Sequence, residues 1–292
     1  MRNRLLILGL LALVPAQVMP AADPPAAAEK ESKPAEKPAE TTAEKPVERV
    51  VIVAPVEGGY EIDFDITETP ELKDWVTGKL QPACVEWYPK IVAMLPSEGY
   101  EAPKKFPVIF RRNGRGVAAT GGTRVFCDYP WFSKNLEGEA VGAVIHELVH
   151  VVQQYGRARR AGGEGQRPPE GQRPPEGQRP PEGQRPPEGQ RRPRNPGFLV
   201  EGLADWIRWF NFEPERLRPH PNPERAKYTD SYRTTAHFLD YVVQKYDKDL
   251  IKKLNALMRE GKYDDAWWKQ DTGKTLEDLG AEWKETLGKK PE

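Results

Sequence analysis

The sequence has no excess charge of either sign: its 292 residues carry 44 basic and 44 acidic side chains. A neutral chain has no electrostatic footprint for nucleic acid or for an anionic membrane surface, so neither is an expected partner. Long apolar runs are missing too. The run from Leu5 to Val14 has 10 residues, half of the roughly 20 that a membrane-spanning helix needs. Cysteine is nearly absent, with Cys84 and Cys127 alone. Neither stands directly after the apolar run, which argues against a bacterial lipoprotein anchor. Export would permit a disulfide between the two; a pair of buried free thiols is the alternative, and sequence leaves both open. Histidine is scarce, at four, and two of the four fall within five residues of each other.

What is present at the start reads as an address. Arg2 and Arg4, the apolar run, then Ala16, Ala21 and Ala22 have the layout of a cleaved secretory signal peptide over residues 1–22. The expected location is therefore secreted or periplasmic, with no membrane span after cleavage. Residues 23–48 are mostly Ala, Pro, Glu and Lys, with almost nothing apolar larger than Ala. Such a segment cannot bury enough surface to offset its ordering entropy and reads as a disordered linker. A third solvated stretch lies deep in the chain. Four copies of EGQRPP and a frayed fifth occupy residues 164–193, with Pro-Pro pairs that favour extended polyproline II backbone. The repeat reads as a tolerated expansion of a surface loop, because loop closure costs only about 0.6 kcal/mol per doubling of length.

Residues 49–292 remain as one folded domain. RVVIVAPV (49–56), YEIDFDI (60–66) and KFPVIFRR (105–112) carry the alternation and β-branching of strands. The stretch 69–95 has helical spacing interrupted at Pro82, and 116–132 reads as strand, Gly turn, strand. From Gly138 the period changes to that of a buried amphipathic helix, with Gly156 as its C-cap. A second helix covers 197–210, and three more cover 231–246, 248–261 and 275–287. Strands first and helices later predict an α+β domain.

HELVH places His146 and His150 four apart on a helix, so both imidazoles reach one point on one face. Glu147 beside the first can face a water at that point. Two histidine ligands and a general base in this order are the arrangement of zinc peptidases. A third ligand must come from elsewhere. Gln153 and Gly156 stand where a longer histidine motif would continue, which closes that route. EGLAD offers Glu201 on the following helix, with Asp205 one turn on to accept a hydrogen bond from a ligand histidine.

HELVHVVQ, GFLVEGLADWIR and SYRTTAHFLDYV, preceded by GVAATGGTRVFCDY, resemble the basic secretory protein family of plants and bacteria, zincin-type metallopeptidases. The likeness spans roughly residues 58–288. The chain departs from the family's pattern at Val149 and Val152, neither of which is a ligand. The resemblance implies a small mixed sheet over an active-site helix, with a helical C-terminal lobe below the cleft. It implies Zn2+ held by His146, His150 and Glu201, with Glu147 as general base on a peptide or protein substrate, in a chain read as a monomer. In zincins the strand before the metal helix pairs with extended substrate, which points to Thr123, Arg124, Val125 and Phe126 as a substrate edge. Zincins also place a phenol near the oxyanion, for which Tyr228 and Tyr232 are candidates and Tyr232 the first. His237 reads as a helix-face residue and His220 as exposed. The rival reading is a secreted, non-catalytic binding protein of a cell wall or surface, with zinc as a structural brace.

Overall fold

The structure is a computed structural model, and it describes residues 48–155, 195–230 and 232–288. Residues 1–47, which hold the expected signal peptide and all but the last residue of the expected linker, lie outside the described residues, as do the repeat and Gly156.

A mixed five-stranded sheet forms from β1 (Val51–Val56), β2 (Tyr60–Asp65), β3 (Lys105–Arg111), β4 (Ala118–Gly121) and β5 (Arg124–Asp128). Its spatial order is β1-β2-β3-β5-β4. The outer pairs β1·β2 and β4·β5 are antiparallel, while β2·β3 and β3·β5 are parallel. Alternation puts Ile62, Phe64, Phe106, Val108, Phe110, Val125 and Cys127 on one face, each at most 1% exposed. That face carries the helices, and the other is half open, the usual reason strands alternate.

The helices are α1 (Lys73–Trp75), α2 (Gln81–Met94), α3 (Tyr129–Asn135), α4 (Ala140–Gln153), α5 (Gly197–Ile207), α6 (Tyr232–Lys245), α7 (Leu250–Glu260), α8 (Ala266–Thr272) and α9 (Leu276–Thr286). The interruption expected at Pro82 takes a definite form. The chain winds through a π-helical stretch, Val76–Leu80, before Pro82 opens α2 at one of its first two positions. Proline has no N–H to give the preceding turn, and the first turn is where that loss is harmless. Residues 129–132, read as the end of a strand, instead begin α3 with Pro130 in its first turn. The short helix α8 had no reading in the sequence.

Helix α4 is apolar nearly all round and buried nearly all round, packed between β4, β5, α2 and α5. It ends on Gln154 in the left-handed region, at φ 45°. Gln154, not glycine, therefore caps the helix. Its side-chain amide donates to Gly122 O and Val151 O, both at 2.9 Å. Helix α5 lies against α6, and Gly202 makes this approach possible. A Cβ there would stand 2.3 Å from Thr235 Cγ2.

Candidate metal centre

Helices α4 and α5 bring three donor atoms to one point. His146 Nε2 and His150 Nε2 are 3.0 Å apart, and Glu201 Oε2 lies 3.2 Å from the first and 3.0 Å from the second. The other ring nitrogens are spoken for. His146 Nδ1 is 2.7 Å from Asp205 Oδ1, whose carboxylate is buried and accepts only, so this nitrogen carries the proton. His150 Nδ1 is 2.7 Å from Gln153 Oε1. The amide of Gln153 is oriented by its own donation to Val200 O at 3.0 Å, so it too presents an acceptor. Both imidazoles thus turn Nε2 lone pairs towards the carboxylate of Glu201.

Three converging lone pairs repel unless positive charge sits among them. Burial pulls the His146 imidazole towards neutrality, but its bonds to Asp205 and Glu201 prevail and raise its pKa to about 9. Burial likewise pushes Glu201 up, and its bonds to both histidines more than reverse this, to about 2. A proton can satisfy one pair of donors; a single cation satisfies all three. Ligands about 2.0–2.1 Å from one tetrahedral zinc lie about 3.3–3.4 Å from each other. The observed separations are a few tenths of an ångström tighter. The residues present fit a zinc-sized divalent cation.

This point lies on the wall of a cleft of about 830 Å3 between the sheet edge and the helical half. The side chains of His146, His150 and Glu201 are 13%, 16% and 32% exposed, so the centre is open on the cleft side. Glu147 lines the cleft beside them, with Oε2 2.7 Å from Thr120 Oγ1. Tyr232 stands at the mouth, 54% exposed, its ring 6.1 Å from that of His146 and nearly perpendicular to it. The charge of Glu201 raises its phenol pKa, with burial second, so the hydroxyl stays a donor.

Six of the residues singled out in the sequence therefore meet: His146, Glu147, His150, Glu201, Asp205 and Tyr232. The substrate-edge assignment is corrected. Arg124, Val125 and Phe126 belong to β5, which is paired on both sides, and Thr123 sits in the turn before it. The hairpin folds with its first strand outermost, so β4 is the open edge, and Val117, Ala118, Ala119 and Thr120 line the cleft. Tyr228 packs against Phe198 and Phe238 away from the cleft lining. His237 accepts from Trp283 Nε1 at 2.9 Å, and His220 is exposed. Both cysteines are free thiols in the core.

Sequence reasoning passed over Gln153, although it lies three residues beyond His150 on the same helix face. It also missed Thr120, and the pair Arg208 and Arg233 on the cleft wall. Those two guanidiniums share Glu139, at 3.0 and 2.6 Å, and stack on Trp209 at 4.2 and 4.3 Å. Arg208 opens a π-helical stretch, Arg208–Phe212, that continues α5. Gly142 leaves room for it: a Cβ there would be 2.7 Å from Arg208 Nε.

No curated protein and no solved structure matches the chain. Residues 110–284 match the BSP family, described as a peptidase of plants and bacteria. That span holds the strand edge, both helices of the candidate centre and the helices behind them, and the chain belongs to this family of peptidases of plants and bacteria.

Proposed function

We propose that the protein is an exported zinc-dependent endopeptidase of the zincin type. The observation that carries this reading is the convergence of His146 Nε2, His150 Nε2 and Glu201 Oε2 within 3.2 Å of one another beside the open cleft that Glu147 also lines. Membership of a peptidase family supports a protein or peptide substrate. Export rests on the composition of residues 1–22.

His146, His150 and Glu201 would hold the metal, and Asp205 and Gln153 would fix the two rings in the right tautomer. Bound there, zinc would supply Lewis acidity, polarising a carbonyl and lowering the pKa of water. Glu147 takes the proton from the attacking water and passes it to the leaving amine. Tyr232 donates its hydroxyl to the developing oxyanion. The outer edge of β4 holds the substrate as an added strand.

That edge can be read to the residue. Val117 O accepts from Asp128 N at 2.9 Å, so 117 and 128 form a hydrogen-bonded pair. Antiparallel pairs alternate, so Ala119 faces Phe126 and Gly121 faces Arg124 in the same manner. Ala118 and Thr120 therefore turn their own N–H and C=O groups outward to the cleft.

Support for a structural rather than catalytic metal would be a closed fourth position; the exposure of Glu201 favours the open, catalytic kind. The test is turnover of an unbiased peptide library with and without chelator, beside metal analysis of Glu147→Gln. Zinc retained with turnover lost supports the enzyme. Undiminished turnover in the chelator, or in Glu147→Gln, removes the reading.

A further inference from the structure

Thr120 belongs to both halves of the proposed reaction. Its backbone faces the cleft from the open edge of β4, and its side chain stands on the sheet face that packs on α4. There Oγ1 lies 2.7 Å from Glu147 Oε2 and 3.1 Å from Glu147 O. Among the described residues this hydroxyl is the donor that reaches the Glu147 carboxylate.

The bond is built rather than incidental. Glu147 is only 7% exposed, so water cannot freely replace a lost partner. Thr120 is locked in register opposite Val125, which is fully buried. Its β-branched side chain has few rotamers, so the hydroxyl arrives at a fixed place. A glutamate on a helix has three side-chain torsions of its own. Tying one carboxylate oxygen to the strand fixes where the other can point.

We infer that Thr120 is a positioning residue that sets the Glu147 carboxylate in register with substrate paired on β4. This rests on the reading of Glu147 as general base. The same residue would hold the scissile peptide through its backbone and the base through its hydroxyl. The distance between base and peptide is then fixed within a single amino acid. General-base catalysis is steeply sensitive to such placement, since a misplacement of about 1 Å costs on the order of 100-fold.

The experiment compares Thr120→Val, which keeps the shape and removes the hydroxyl, with Thr120→Ser, which keeps the hydroxyl. On the full zinc-loaded chain, Thr120→Val should lower kcat by about 10- to 100-fold. KM should stay within about twofold, because the backbone edge is untouched, with zinc content and thermal midpoint unchanged. Thr120→Ser should restore most of kcat. A second readout needs no turnover: the affinity of a peptide hydroxamate, whose acidic proton must be accepted beside the metal. Thr120→Val should weaken it in parallel with Glu147→Gln. If Glu147→Gln weakens binding and turnover while Thr120→Val matches the wild type in both, Thr120 has no such role. So too if Ser behaves like Val, including the case where Val unfolds the domain. If Glu147→Gln itself changes neither, the general-base reading fails first.

Discussion

Replacing Arg259 by methionine would test how the C-terminal end of α4 is held. Arg259 lies on α7 and is 4% exposed, with no carboxylate in its hydrogen-bond shell among the described residues. Its guanidinium donates to Leu95 O at 2.9 Å, Val152 O at 3.0 Å, Gln153 O at 3.2 Å and Ser97 Oγ at 2.7 Å, and stacks 3.7 Å over Tyr100. The carbonyls close the C-terminal ends of α2 and α4, where the helix dipoles favour a cation. Methionine fills the space of the stem but donates nothing. Val152 O keeps the hydroxyl of Tyr100. Leu95 O and Gln153 O lose their partner, at about 1–3 kcal/mol each. The gain from no longer burying a charge, visible in the lowered pKa of Arg259, offsets part of this. A net loss of about 3 kcal/mol follows, or about 6–12 °C in thermal midpoint for a domain of this size. Calorimetry or circular dichroism in excess chelator reads it without any contribution from metal. A midpoint within about 2 °C of wild type would refute the argument that a buried cation braces these two helix ends.

Asp205→Asn should leave the domain folded and lower zinc affinity by about 10- to 100-fold in competition with a chromophoric chelator; unchanged affinity would contradict the 2.7 Å bond to His146. Gly202→Ala should cost about 1–3 kcal/mol in denaturant titration, since the new methyl meets Thr235 at 2.3 Å; a neutral result would mean that α5 and α6 part without strain. Burial raises the pKa of both Cys84 and Cys127, so neither should react with a thiol reagent at pH 8 until denaturant is added, when both should; prompt labelling of the native protein would place one near the surface.

The two helices of the candidate centre were legible because their chemistry is periodic. His146 and His150 share a face by spacing alone, and the apolar residues around them fix which way α4 is buried. Glu201 and Asp205 repeat that logic on α5. The order of strands has no such local signature. Nothing in VAATGGTRVF says which arm of the hairpin meets β3, and the parallel pairing of β3 with β5, which makes β4 the edge, is a long-range event. Thr120 was hidden for that reason. Arg259 was hidden because a basic residue on a helix that also carries lysines reads as solvent-exposed, and the partners of all four of its bonds lie 106 or more positions away. Gln154 broke the expectation of a glycine cap because its own amide, bonded to Gly122 and Val151, compensates for an unfavourable backbone angle.

The shortness of β4 has a consequence for traffic through the cleft. The strand is four residues long, and only Ala118 and Thr120 present outward backbone groups, two donors and two acceptors in all. At a net value of about 1 kcal/mol per hydrogen bond, an extended chain laid there gains about 4 kcal/mol, a dissociation constant near 1 mM. On the proposed reading, cleaved ends held by so little would leave quickly, so turnover would not be throttled by clearance of product. A strip this narrow also reads almost nothing of the chain's identity, and any choice among cleavage points must come from what the side chains meet on either side of it.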